Sequence, residues 1–265
     1  MLKLGLKLWS TNTDAYLYEA KRLYAEGVFD YLELFVVPGS IDRLAMWQSF
    51  DIPFVIHHAH SATGFNPALK DTFVANEQIA EETRGYVNAL NPRCVIFHGG
   101  TNGAIEESAR QLVYFTRNYF AGQTVVVENK PFKPLPNRMG ITECRGSNVA
   151  ELDFLVDRLK CGVCLDFGHA VASANTQRIN PYAFIETLQN RFHPVMYHLS
   201  DFVDMASEVD AHPHLGAGNL DIRRIVRTIL PSSAMVSIET TKDSRNNLED
   251  FAGDCRFLRE ISGVP

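Results

Sequence analysis

Eight short apolar runs recur along the chain, and most are followed by a loop and then by a stretch with helical spacing. The runs are LGLKLW (4–9), YLELFVV (31–37), PFVIHH (53–58), CVIFHG (94–99), TVVVEN (124–129), CGVCLD (161–166), VMYHLSD (195–201) and MVSIET (235–240). They are rich in Val, Ile, Leu and Phe and most do not alternate strictly, which is how parallel strands covered by helices read. Between them, DAYLYEAKRLYAEG (14–27) starts at a capping Asp and stops at Gly, EESARQLVYFTRNYF (106–120) spaces its apolar residues helically, and LDIRRIVRTIL (220–230) halts before Pro231. Eight strands alternating with about eight helices predict a (β/α)8 TIM barrel, a single α/β domain over 1–265. An open doubly wound sheet usually carries a glycine-rich phosphate loop after its first strand; here that place reads LWSTNTD, with no GxGxxG and no Walker A anywhere.

The 265 residues are 46% hydrophobic, enough for one large core, and no linker or low-complexity tract divides them. A net charge of −6 argues against wholesale electrostatic binding to nucleic acid. The opening MLKLGLKLWS is too short and too regularly alternating for a signal peptide, and no apolar run nears the ~20 residues of a membrane span. The expectation is a soluble cytoplasmic protein with no membrane association; no protein partner can be inferred. The five cysteines are odd in number, and Cys161 and Cys164 form a CxxC inside a strand, where residues three apart face opposite sides. They are expected to be buried thiols rather than a redox or zinc motif.

The runs share one property at their far ends. The third ends in His57-His58, the fourth in His98, the fifth in Glu128, the sixth in Asp166 with His169 on the loop beyond, the seventh in His198 with Asp201 after it, and the eighth in Glu239. In a barrel all these ends converge on the C-terminal mouth. Isolated charges at buried strand ends are costly, and a bound metal relieves a ring of them. Imidazoles and carboxylates without thiolate suit Zn2+, Mn2+ or Co2+. After strand seven, Asp210 and His212 stand two apart in EVDAHPHLGAGN, a spacing that can turn both toward one ion, and His214 extends it. The connection NKPFKPLPNRMGITECRGSN (129–148) is long, has no convincing helix, and carries Lys130, Lys133 and Arg138 beside Glu128, so it is expected to contact substrate.

The segments FHGG (97–100), VEN (127–129), LDFGHA (165–170), HLSD (198–201), VDAHPHLGAGN (209–219) and IET (238–240) resemble, in order and spacing, the xylose isomerase-like TIM barrel superfamily, most of all its endonuclease IV (AP endonuclease family 2) branch. That resemblance implies a phosphoester hydrolase with up to three zinc ions. One would be held by His58, His98 and a bridging Glu128, with His57 and His60 flanking His58. The second would be held by Glu128, Asp166, His198 and Glu239, which would also be the catalytic residues, and the third by His169, Asp210 and His212. Sugar isomerases and epimerases of the superfamily typically keep the second site only, so a metal-dependent sugar or sugar phosphate isomerase is the alternative. Glu33, in YLELF, is similar to the strand-two Glu-Leu of many isomerases and can equally be a structural carboxylate. The chain departs from the endonuclease pattern in ENKPF for ENTAG, in DFGH for DTCH, in Ala211 between Asp210 and His212, and in SDFVDM, which lacks a basic residue. Two of these departures remove positive charge where the phosphates of DNA would lie.

Overall fold

The computed structural model describes residues 1–133 and 140–263, so Arg138 lies outside the described residues. The strands are β1 (Lys3–Trp9), β2 (Tyr31–Phe35), β3 (Phe54–His57), β4 (Val95–Phe97), β5 (Val125–Glu128), β6 (Gly162–Asp166), β7 (Met196–Leu199) and β8 (Met235–Ile238). They pair in sequence order, all parallel, and β1 closes on β8 with Lys3 beside Met235 and Leu6 beside Ile238. The expected (β/α)8 barrel is therefore present. Around it lie α1 (Asp14–Ala25), α2 (Leu44–Gln48), α3 (Phe73–Leu90), α4 (Ile105–Asn118), α5 (Val149–Leu159), α6 (Phe167–Gln177), α7 (Pro181–Phe192), α8 (Ile222–Arg224) and α9 (Glu249–Ser262), with α8 continuing as one wider turn over Ile225–Ile229. No described helix is long and apolar enough to cross a membrane.

The side chains sort into two layers because alternate strand residues face opposite ways. Tyr31, Val55, Cys94, Ile96, Val126, Cys164 and Met196 fill the barrel interior. Leu4, Leu6, Leu8, Leu32, Leu34, Phe54, Ile56, Val95, Phe97, Val127, Leu165, Tyr197, Leu199, Val236 and Ile238 point outward against the helices. Space inside is tight: a Cβ on Gly5 would collide with the Tyr31 ring. Cys164 sits in the inner layer while Cys161 packs against the outer one, and burial pushes the Cys161 thiol up to about 12. The CxxC is thus split across the strand.

Two local expectations differ from the structure. α1 is preceded by Thr13 rather than capped by Asp14; Asp14 lies in the first turn, where a carboxylate complements the helix dipole. His169 is not on a loop. Strand β6 passes directly into α6 because the Asp166 carboxylate caps it, accepting a bond from the His169 N–H at 2.7 Å. The described part of 129–148 holds no helix before Val149; it is pinned by Lys130 N–H to the Gly146 carbonyl, Cys144 N–H to the Phe132 carbonyl, and a bridge between Thr101 and Cys144.

Candidate metal centre

The inward parity that places Val55, Ile96, Val126, Cys164 and Met196 in the interior carries two residues further to His57, His98, Glu128, Asp166 and His198. Tyr31 leads likewise to Glu33, and Gly5 to Lys7. Of these, Lys7, His57, His98 and Glu128, with Glu239 after β8, line a cavity of about 480 Å3 that opens at the mouth, while Glu33, Asp166 and His198 are buried beside them. The cavity walls include Trp9, Tyr16, Phe35 and His60 on one side and Lys130, Lys133 and Lys242 among the others.

Glu128 is the hub. Its Oε2 lies 3.0 Å from His57 Nε2, 2.9 Å from His98 Nε2 and 3.3 Å from His198 Nδ1, and its Oε1 lies 2.9 Å from His169 Nδ1 and 3.3 Å from Lys130 Nζ. Burial opposes its charge, but Lys130, His98 and His198 outweigh this and hold its pKa well below the usual carboxylate range. Asp166 goes the other way: burial, then Asp210, Glu239 and Glu128, raise it well above that range. Burial and then Lys130 push His98 and His169 down, favouring neutral rings. His198 Nδ1 lies 2.7 Å from Glu239 Oε1 and 3.9 Å from Asp166 Oδ2. On the far wall, Asp210 and His212 approach His169; the two imidazoles meet edge-on at 6.0 Å, and Asp210 Oδ1 accepts from the His212 N–H at 3.1 Å.

The donor chemistry fits divalent cations. Three sets, His57–His98–Glu128, Glu128–Asp166–His169 and His169–Asp210–His212, each offer ligand atoms within 4.8 Å of one another, and a fourth joins Glu33, His57, His198 and Glu239. Asp210 Oδ2, His198 Nδ1 and His212 Nδ1 are buried yet make no hydrogen bond among the described residues. Buried polar atoms of this kind are normally satisfied, by protein, water or an ion.

The residues expected as metal ligands lie together with one exception. His58 points away from the mouth, wedged against Phe65, Phe97 and Phe120 at 4.2, 4.6 and 5.8 Å between ring centres. Its Nδ1 donates to the Ala59 carbonyl and burial pushes its pKa down to about 3. The strand-three histidine in the ring is His57, because period-two alternation puts only one of two adjacent residues inside. His60 lines the cavity, stacked parallel on His98 at 5.2 Å. His214 turns aside to Asp254, 3.0 Å from Nδ1, and Asp201 accepts loop N–H groups of Phe202, Gly216 and Leu220. Lys130 reaches the hub. Lys133 lines the cavity but also pairs with Glu208, tying this loop to the one after β7.

One participant was not anticipated. Lys7 of β1 sends its ammonium to Glu239 and lies 3.2 Å from Glu33 Oε1. Burial works against its charge, but Glu239, Glu33 and Glu128 outweigh it and hold it protonated. The available signal was its place in KLGLKLW, in phase with Gly5 and out of phase with the leucines.

The xylose isomerase-like TIM barrel family description matches residues 42–261, and the chain belongs to that family. Among solved structures it is similar to a D-tagatose 3-epimerase-like protein (20% identity, 98% of this chain and 96% of that one, TM-score 0.70). It is similar to endonuclease IV from Thermus thermophilus (20% identity, 98% of both chains, TM-score 0.69). It is also similar to the IOLI protein with a bound zinc atom (16% identity, 98% of both chains, TM-score 0.66). No curated protein sequence matches it. Members of the family act as endonucleases, isomerases and epimerases, and at these identities the likenesses establish the fold.

Proposed function

We propose that the chain is a metal-dependent phosphoester hydrolase with more than one ion at its centre, acting on a phosphate-bearing substrate small enough to enter the mouth. The observation that carries this reading is Glu128. Its two oxygens face separate histidine groups, His57 and His98 on one and His169 on the other, which suits a carboxylate set between two neighbouring ions. Bound zinc, or manganese or cobalt, would supply Lewis-acid polarisation of a phosphoryl oxygen and lower the pKa of water. His57, His98 and Glu128 would hold one ion, and His169, Asp210 and His212 another.

The chain's own groups then have distinct tasks. Lys130, beside Glu128 Oε1, and Lys133 on the cavity wall bind phosphate oxygens as point charges. Glu239, beside His198 Nδ1, takes the proton from the attacking water. Asp166, whose pKa is raised, holds a proton for the leaving oxygen. The aromatic wall of Trp9, Phe35 and Tyr16 excludes water from the reacting phosphate.

The test is metal content by elemental analysis of chelator-free protein, followed by assays on a small aryl phosphodiester and on abasic-site DNA. Two or more ions per chain with hydrolysis of either, abolished in Glu128→Gln, supports the reading. Full activity in that variant would sink the role of Glu128.

A second reading, a sugar or sugar phosphate isomerase or epimerase, is favoured by one geometry. Glu128 from β5 and Glu239 after β8 approach His198 Nδ1 at 3.3 and 2.7 Å, placing two carboxylates where an acid and a base could face one carbon. Incorporation of solvent deuterium into a ketose, without phosphate release from any ester, would select it.

A further inference from the structure

Five carboxylates cluster at this end of the barrel, those of Glu33, Glu128, Asp166, Asp210 and Glu239, and all are buried or nearly so. Two ammonium groups already sit among them. Lys130 arrives on the β5 loop. Lys7 is built into β1, its backbone fixed beside Glu33 by the strand register. Its Nζ lies between Glu33 Oε1, at 3.2 Å, and Glu239 Oε1. Those two carboxylates, with His57 and His198, form one of the candidate donor sets. The lysine therefore stands where a cation at that edge would bind, and an ammonium and a divalent ion on the same carboxylate oxygen repel each other strongly in a buried site.

We propose that Lys7 takes the place of a divalent ion at the Glu33–Glu239 edge. The chain then binds ions at His57–His98–Glu128 and His169–Asp210–His212 only, and the Lys7 ammonium supplies the third positive charge to the bound phosphate oxygens. The role toward substrate rests on the hydrolase reading; the restriction on metal does not.

The experiment measures zinc per chain by elemental analysis after equilibration against buffered free zinc, with no substrate present. Wild type is expected to hold about two ions and Lys7→Met about three, since removing one buried like charge strengthens cation binding about tenfold or more. Lys7→Arg keeps the charge and stays with wild type, and Lys7→Met combined with Glu239→Gln returns to the wild-type count. Circular dichroism establishes that each variant is folded. Wild type holding three ions overturns the proposal, even if Lys7→Met fails to fold. So does one ion, or a folded Lys7→Met that binds no more zinc than wild type. Failure of every phosphoester assay would defeat the hydrolase reading and leave these counts standing.

Discussion

His198 is gripped from both sides of its ring, with Nε2 3.0 Å from Glu33 Oε2 and Nδ1 2.7 Å from Glu239 Oε1. The two contacts differ in kind. Nε2 is within hydrogen-bonding geometry of Glu33, whereas Nδ1 is buried and makes no hydrogen bond among the described residues. With the Nε2 proton donated to Glu33, the Nδ1 lone pair faces Glu128, Asp166 and Glu239. Burial opposes charge on this ring, yet Cys164, Glu239 and Glu33 outweigh it and raise its pKa well above the ordinary value. That face of the ring also meets Glu128 Oε2 at 3.3 Å, so the setting of His198 bears on how the hub carboxylate is held toward its ions. Glu33 therefore sets the tautomer, and Ser237 and Tyr31 hold Glu33 in turn through Ser237 Oγ and a 3.0 Å bond from it to the Tyr31 hydroxyl.

Removing Glu33 should consequently weaken metal binding without removing a ligand to the ions held by His57, His98 and Glu128. Glu33→Ala is expected to lower zinc affinity about 10- to 100-fold, the usual effect of deleting a residue that orients a metal ligand, here by freeing the His198 ring that abuts Glu128 Oε2. Glu33→Gln, which can still accept from Nε2–H, should lose less. Chelator competition reads both. Unchanged affinity in Glu33→Ala would reduce Glu33 to a partner of Lys7 alone.

Adjacent histidines on β3 should behave oppositely. His57→Ala removes a ring nitrogen 3.0 Å from the hub carboxylate and should cost one ion per chain. His58→Phe sits in an aromatic cluster whose Nε2 has no hydrogen-bond partner, so its metal content should stay at the wild-type value. Elemental analysis of the two purified variants decides; the reverse outcome would mean that β3 is shifted by one residue.

That pair also marks where the sequence stopped being legible. Apolar runs located every strand to within a few residues, since parallel strands buried on both faces are continuously hydrophobic. The same property hides which face is which: Phe54 and Ile56 are as apolar as Val55, so PFVIHH cannot choose between His57 and His58. Lys7 was missed for the converse reason. A lysine among leucines in KLGLKLW reads as one polar face turned to water, and only closure of β1 against β8 turns it into the mouth. Asp166 and His169 were found, but LDFGHA gave a loop where a helix begins, because the capping residue is itself the candidate ligand. Lys133 and Glu208 lie 75 positions apart, beyond any local pattern.

His58 predicts a pH effect on stability. Its folded pKa is lowered to about 3 by burial, against about 6.5 when unfolded. The unfolded chain therefore binds a proton below about pH 6.5 that the folded chain refuses. Stability from this residue is complete above that pH and declines as pH falls toward about 3, by up to ~1.4 kcal/mol per pH unit. Metal-free His58→Phe should show a shallower loss of stability than metal-free wild type between about pH 6 and pH 4 in urea titrations. Parallel slopes would show that the ring is protonated in place.

The last prediction concerns how the third donor set is built. Gly168 stands between Asp166 and His169 in the first turn of α6, and a Cβ there would strike the Asp210 carboxylate. The backbone of this helix is thus the wall against which Asp210 is set, near His169 and 3.8 Å from His212 Nε2. Alanine is otherwise the better helix former, by about 1 kcal/mol, so Gly168→Ala separates the two demands. Because Asp210 is carried by a loop, it is the partner that moves, and the His169–Asp210–His212 set opens. Zinc content is expected to fall by about one ion per chain while the thermal midpoint of the metal-free protein changes by only a few degrees. A variant that keeps its full metal content would show that the Asp210 loop can shift and still bind, and that Gly168 is there for packing alone.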